Sequence, residues 1–340
     1  MKAAILRGPG VLGVEDIPMP KVGEYDALCR LLYGGTCTGT DLHLIAGEWP
    51  WGLKYPFVLG HESIGRVIEV GPRVRNLKVG DVVTRVGVPP APDGAFQVYW
   101  GGFAEYGVAR DHWAMREDGL EARLWNGARI NQLIGPEVDP ADATMLITWR
   151  ETYSYLERMG VKPGSRVLVI GTGGNGLSFV AHAANAGAAL TAVVGGAGRR
   201  EIAARLGAGA FADYTVADWP KDLAARCPEG VEIIVDSVGK KGALDAALPL
   251  LKPGGIVGIF GMDDYAATAL NPRRARGTFT VYNGGYDAAE VHAQVVALMV
   301  AGKLRARDWF GDAPPFPLDR ITDAFAAVRA RRVVKAVVKL

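Results

Sequence analysis

With 340 residues, 49% of them apolar, the chain can bury two ordinary cores, which excludes a disordered chain. Its 38 basic and 36 acidic residues nearly cancel, so no overall field directs it to nucleic acid or to an anionic membrane, and the expected partner is a small molecule. Cys29, Cys37 and Cys227 show no paired spacing and fit a reducing compartment; with neither an apolar span of ~20 residues nor a signal-peptide core at Met1-Lys2-Ala3-Ala4-Ile5-Leu6-Arg7, a cytoplasmic protein is expected.

From Met1 to about Ala109, short alternating runs at 27–32, 63–70, 82–86 and 103–108 are broken by Gly and Pro, which predicts an all-β module with long loops. Val88-Pro89-Pro90-Ala91-Pro92-Asp93-Gly94 predicts an exposed loop within it. Asp139-Pro140-Ala141-Asp142 carries an N-cap with Pro at the first helical position, and predicts the helix that leads into a second domain. From Arg166 to about Val281, strands at 167–170, 190–194, 233–236, 256–260 and 278–281 alternate with helical runs, as in a parallel, doubly wound sheet. A helix at 291–301, a Pro-rich link at 314–317, a helix at 320–329 and a strand at 333–338 close the chain, and the last strand is expected to rejoin the first domain. The expected limits are 1–150, 151–285 and a return over 286–340.

The strand at 167–170 runs straight into Gly171-Thr172-Gly173-Gly174-Asn175-Gly176 and then into an Ala-rich helical run expected over 177–187. A strand followed by G-x-G-x-x-G and a helix is a dinucleotide site: Gly171 permits the tight turn, Gly173 lets backbone N–H groups approach a pyrophosphate, and Gly176 lets the helix pack on the strand. Gly174 and Asn175 complete the loop. NAD binding calls for a carboxylate at the end of the second strand, but this chain reads Gly195-Gly196-Ala197-Gly198-Arg199-Arg200 there. Two cations at a helix start oppose its dipole unless an anion compensates, so Gly195, Arg199 and Arg200 point to the 2′-phosphate of NADP over NAD.

Further markers cover essentially the whole chain. Gly60-His61-Glu62 with Gly65, Val67 and Val70-Gly71 resembles a G-H-E-x-x-G segment; Val79-Gly80-Asp81-Val82-Val83 resembles a G-D-R-V turn. Leu251-Lys252-Pro253-Gly254-Gly255 resembles an L-x-P-G-G turn, and Thr40-Asp41-Leu42-His43 an [ST]-D-x-H element. Together with the cofactor loop these resemble the medium-chain dehydrogenase/reductase superfamily and, within it, the zinc-type alcohol dehydrogenases. The resemblance implies a GroES-like β-rich catalytic domain plus a doubly wound Rossmann domain, an α/β fold assembled as a homodimer or homotetramer.

It also implies a chemistry, in which zinc acts as a Lewis acid on the hydroxyl while hydride leaves for NADP. The family's ligands are a Cys before [ST]-D, the His of G-H-E, and a Cys, Asp or Glu at the start of the linking helix, with the Glu of G-H-E near the metal. His61 and Glu62 match. Cys37 lies four residues before Asp41 where the family has three; counting back from Asp41 selects Thr38, whereas counting forward from Ala27 selects Cys37 with one inserted residue. The third position falls near Ile147, and no residue from Met145 to Thr148 ligates well, while Glu151 is one helical turn on. By resemblance Thr40 takes the substrate proton and passes it through cofactor ribose hydroxyls to His43, and Asp41 orients His61. Between Gly80 and Ala109 there is no cysteine, so the structural-zinc lobe is missing, at most one zinc per chain is expected, and Phe96, Tyr99, Trp100 and Phe103 are the candidate anchors of that loop. Trp49, Trp51, Trp100 and Trp149 would gather at the cleft, suiting a cyclic or aromatic substrate. The alternatives are a zinc-free reductase of an activated C=C or C=O bond and a dinucleotide-binding protein without catalysis.

Overall fold

A continuous apolar run builds the first sheet: Lys2–Leu6 buries Ala3, Ala4, Ile5 and Leu6, on both faces of the strand, and pairs antiparallel with Leu12–Asp16 on one side and Phe57–Val58 on the other. A second, larger sheet forms around Asp26–Gly35, which pairs antiparallel with Glu62–Val70, Tyr106–Arg110 and Val337–Lys339. These strands belong to a computed structural model that describes residues 1–267 and 269–340. The chain divides into two units, Met1–Ile147 with His292–Leu340, and Thr148–Val291.

In the first unit the register sets the site. Gly35 pairs with Glu62 on one flank and with Val337 on the other, so the end of one strand gathers residues from three distant segments. The final strand, Val337–Lys339, is shorter than the 333–338 run suggested, because Val334 and Lys335 donate their N–H groups to the Trp309 carbonyl instead of to a ladder.

The second unit is a six-stranded sheet in the order Ala210–Asp213, Leu190–Gly195, Arg166–Ile170, Val231–Asp236, Leu251–Ile259, Phe279–Tyr282. Every neighbouring pair is parallel. This is the doubly wound order with the glycine loop leaving the first strand of the unit. Val167, Leu168, Val169 and Ile170 are all buried, as in a sheet covered on both faces. The L-x-P-G-G segment is absorbed into the start of Leu251–Ile259, where a register shift between Val231 and Ile233 accommodates it.

Three further expectations are corrected. The helix after the glycine loop is Gly174–Asn185, starting three residues before the expected 177, because Gly174, Asn175 and Gly176 form its first turn. The second unit extends through Val291, past the expected limit at 285, because Asp287 N donates to Ser154 Oγ at 3.0 Å and Arg158 pairs with Glu290 at 2.7 Å. Likewise Asp139 does accept from Ala141 N at 2.8 Å, but a short 3-10 turn, Asp142–Thr144, intervenes before the helix Met145–Arg158.

Candidate active site

Gly60 has φ of +103°, and a Cβ there would lie 2.6 Å from the Phe103 backbone nitrogen. Only glycine permits this turn, and the turn delivers His61 and Glu62, both buried, to the end of Asp26–Gly35. Cys37 arrives from the loop after that strand and is buried too. One ligand atom from each of Cys37, His61 and Glu62 lies within 4.8 Å of the others, the one such group of three or more His, Cys, Asp or Glu residues among the described residues. Cys37, one of the two residues that counting left open, is a member of this group. Glu151 lies in the second unit and is not part of it, and Ile147 is completely buried.

Asp41 ties this group together. It is fully buried in the first turn of the helix Thr40–Ala46; Oδ2 accepts from Cys37 N at 2.9 Å, and Oδ1 lies 3.1 Å from His61 Nδ1. With Nδ1 so engaged, Nε2 is left toward the group, 3.6 Å from Glu62 Oε1. Burial alone would pull the His61 pKa down, but the Asp41 carboxylate and the hydrogen bonds to Asp41 and Cys37 hold it well above the usual imidazole value. Cys29 shows the opposite environment: desolvation pushes its thiol up to about 12, as for an inert buried thiol.

Thr40 is not a helix cap. The N-cap is Gly39, with no side-chain capping bond, so Thr40 occupies the first helical position and is half-buried. His43, one turn on, is mostly covered, with Nδ1 3.6 Å from Glu48 Oε2.

Sequence reasoning missed Lys335. Its ammonium is 1% exposed and bonds Glu62 Oε1 at 2.6 Å, and it also pairs with Oε2. The signal was present in Val333-Val334-Lys335-Ala336-Val337-Val338, since a lysine inside an apolar run must either leave the core or find a carboxylate in it.

In the second unit, Gly171 has φ of +106°, and a Cβ on Gly176 would strike the Gly171 carbonyl. Gly173 is the N-cap of Gly174–Asn185, so the loop opens onto a helix N-terminus, which suits a phosphate. Gly195 faces the Thr172 side chain, leaving no room for a Cβ there. Arg199 is half-buried; Arg200 is exposed, with its guanidinium carbon 4.6 Å from the Phe211 ring centre. A carboxylate does lie near this loop, on the next strand: Asp213, paired with Gly195, accepts from Thr215 N at 2.9 Å and Oγ1 at 2.8 Å. Hydrogen bonds from Thr215 and Ala197, with Arg200 nearby, hold the Asp213 pKa below the usual carboxylate range.

The aromatic expectations divide. Phe96 and Phe103 are buried and Tyr99 packs on Phe57 at 4.6 Å, as loop anchors should. Trp100 is no anchor: it is 41% exposed and its ring lies 5.4 Å from the His61 imidazole. Trp49 and Trp51 join it, whereas Trp149 is completely buried in Met145–Arg158 in place of the expected position at a cleft.

A family model for the alcohol dehydrogenase GroES-like domain matches residues 23–118, and one for zinc-binding dehydrogenases matches 161–294. An alcohol dehydrogenase of Geobacillus stearothermophilus is 30% identical over 287 residues, covering 77% of this chain and 78% of that one. An NADP-dependent isopropanol dehydrogenase of Clostridium beijerinckii is 31% identical over 288 residues, covering 80% and 79%. A solved zinc-binding dehydrogenase from Sinorhizobium meliloti 1021 bound to NADP superposes with a TM-score of 0.80 at 25% identity, over 100% of this chain and 99% of that one. The glycine loop, the G-H-E group and these matches lead to one conclusion: the chain belongs to the zinc-type alcohol dehydrogenases of the medium-chain dehydrogenase/reductase superfamily.

Proposed function

We propose that this enzyme interconverts an alcohol and its ketone or aldehyde with NADP(H) as the hydride carrier. The observation that carries it is the buried Cys37–His61–Glu62 group with His61 oriented by Asp41. Thiolate, imidazole and carboxylate are all zinc donors, so this set fits one zinc ion held by Cys37 Sγ, His61 Nε2 and a Glu62 oxygen. Zinc, when bound, supplies Lewis acidity to the alcohol or carbonyl oxygen.

The chain's own residues do the rest. Asp41 fixes the tautomer and orientation of His61. Thr40 and His43 are three positions apart on one short helix, which places them on one face; Thr40 takes the proton of the substrate hydroxyl and His43 exchanges it with solvent. The helix N-terminus at Gly173–Gly174 takes the pyrophosphate, and Arg199 and Arg200 take the 2′-phosphate.

One observation favours a second reading. Lys335 engages Glu62, and a carboxylate committed to an ammonium leaves only Cys37 and His61 as donors, as a zinc-free reductase of an activated C=O or C=C bond would have it. Turnover of an alcohol and ketone panel with NADPH or NADP, before and after exhaustive chelation, separates the two. Activity lost on chelation and restored by zinc is expected; activity that survives chelation selects the zinc-free reading. Thr40→Val is expected to slow alcohol oxidation at neutral pH at least tenfold, with NADPH affinity unchanged. An unaltered pH–rate profile in that variant removes Thr40 from the proton path.

A further inference from the structure

Three non-glycine residues among those described have a left-handed backbone: Arg85 (φ 53°), Trp100 (φ 68°) and Arg331 (φ 57°). Arg331 has an ordinary reason for it. It follows the helix Ile321–Arg329 and closes it, donating its N–H to Val328 O at 2.9 Å. Arg85 and Trp100 end no helix. They lie in separate loops and meet each other, the Arg85 guanidinium carbon standing 5.5 Å from the Trp100 ring centre. A bulky residue in this conformation carries strain that glycine would not, and such strain persists where the surrounding structure uses the side chain it positions.

The position gained is beside the donor group. The Trp100 ring lies 5.4 Å from the His61 imidazole, tilted by 51°. Trp49 stands edge-on to Trp100 at 6.2 Å and 86°, and to Trp51 at 5.3 Å and 66°. Unlike core tryptophans, these are not sealed: Trp100 is 41% exposed and Trp51 is 64% exposed. Three indoles at aromatic packing distances, two of them open to solvent and one touching the metal-site histidine, form a receptor for a flat ring.

We propose that Trp100, backed by Arg85 and flanked by Trp49 and Trp51, is the specificity-determining residue for the substrate, and that the preferred substrates are aryl carbinols and their aldehydes. This rests on the alcohol dehydrogenase reading above. The aromatic ring of the substrate packs against Trp100, with its carbinol carbon toward His61. Aromatic pairs gain from edge-to-face and offset contacts beyond the area they bury, whereas a saturated ring of equal size gains area alone. The discrimination is therefore aromatic against saturated, not large against small.

The test compares kcat/KM for benzyl alcohol and cyclohexylmethanol in the wild type, Trp100→Phe and Trp100→Gly. Glycine accepts φ of 68° freely, so Trp100→Gly removes the ring without straining the fold, and its melting temperature is expected to be equal to or above that of the wild type. The wild type is expected to prefer benzyl alcohol about tenfold, Trp100→Phe to keep most of that preference, and Trp100→Gly to fall within about twofold. A wild type without the preference, or a Trp100→Gly enzyme that keeps it, overturns the proposal. Binding of benzyl alcohol is read separately by saturation-transfer NMR on the intact protein. Ring binding that depends on Trp100 without turnover upholds the aromatic receptor and rejects alcohol dehydrogenase activity; ring binding that is absent, or indifferent to Trp100, rejects the receptor.

Discussion

The two units hold their candidate ligands in opposite ways. In Thr148–Val291 the candidate cofactor loop is one contiguous stretch, Gly171 to Gly176, and what it offers is backbone: a left-handed turn, glycines where a Cβ would collide, and a helix N-terminus. In Met1–Ile147 with His292–Leu340 the site is made of side chains drawn from positions 37, 41, 61, 62 and 335, all buried. Backbone recognition of a phosphate costs little desolvation, because the donors remain amides. Burying Asp41, His61, Glu62 and Lys335 together is costly unless each finds its partner, so that unit is held together by a network in which every member depends on another.

The largest test of this contrast is Lys335→Met. Removing one member of a buried ion pair leaves Glu62 uncompensated and should destabilise the first unit by about 3 to 5 kcal/mol in urea unfolding. The double variant Lys335→Met with Glu62→Gln should recover most of that loss. If the single variant costs no more than a surface charge, the network is not what stabilises the first unit. The matching change in the second unit, Arg199→Ala with Arg200→Ala, should leave stability nearly unchanged and weaken NADPH by about 2 to 4 kcal/mol. A preference for NADH in the wild type would show that Asp213, not the two arginines, governs the loop.

Acid sharpens the comparison further. His182 is buried in the second unit, its Nε2 3.1 Å from Thr152 Oγ1, and desolvation lowers its pKa to about 3. The unfolded chain takes up a proton near the ordinary pKa of about 6.5 while the folded chain does not, so this contribution to stability is complete above that value and is lost as pH falls toward 3. The loss should be about 2 kcal/mol between pH 7 and pH 5, and His182→Gln should flatten it. An unchanged pH dependence of unfolding in that variant would mean that His182 protonates without opening the unit.

The same contrast explains what was legible in the sequence. Strand and helix alternation makes the second unit legible because its apolar runs report burial on both faces, and the glycine loop is read residue by residue because its backbone geometry is local. His61 and Glu62 are legible as neighbours in one turn. Cys37 is ambiguous against Thr38, since loop length shifts the count, and what brings Cys37 near His61 and Glu62 is long-range folding, not local spacing. Lys335 is invisible as a site residue for the same reason: only the pairing of Gly35 with both Glu62 and Val337 brings position 335 to position 62. Asp213 comes beside Gly195 across strands, where a rule about the end of one strand does not look.

The most direct measurement of the donor group is the metal content of the purified protein and of Cys37→Ser. The buried thiol, imidazole and carboxylate predict one zinc per chain in the wild type, lost in Cys37→Ser together with alcohol oxidation, because a hydroxyl is a far poorer zinc ligand than a thiolate. A metal-free wild type that turns over at full rate, or a Cys37→Ser protein that keeps its zinc, would contradict that assignment.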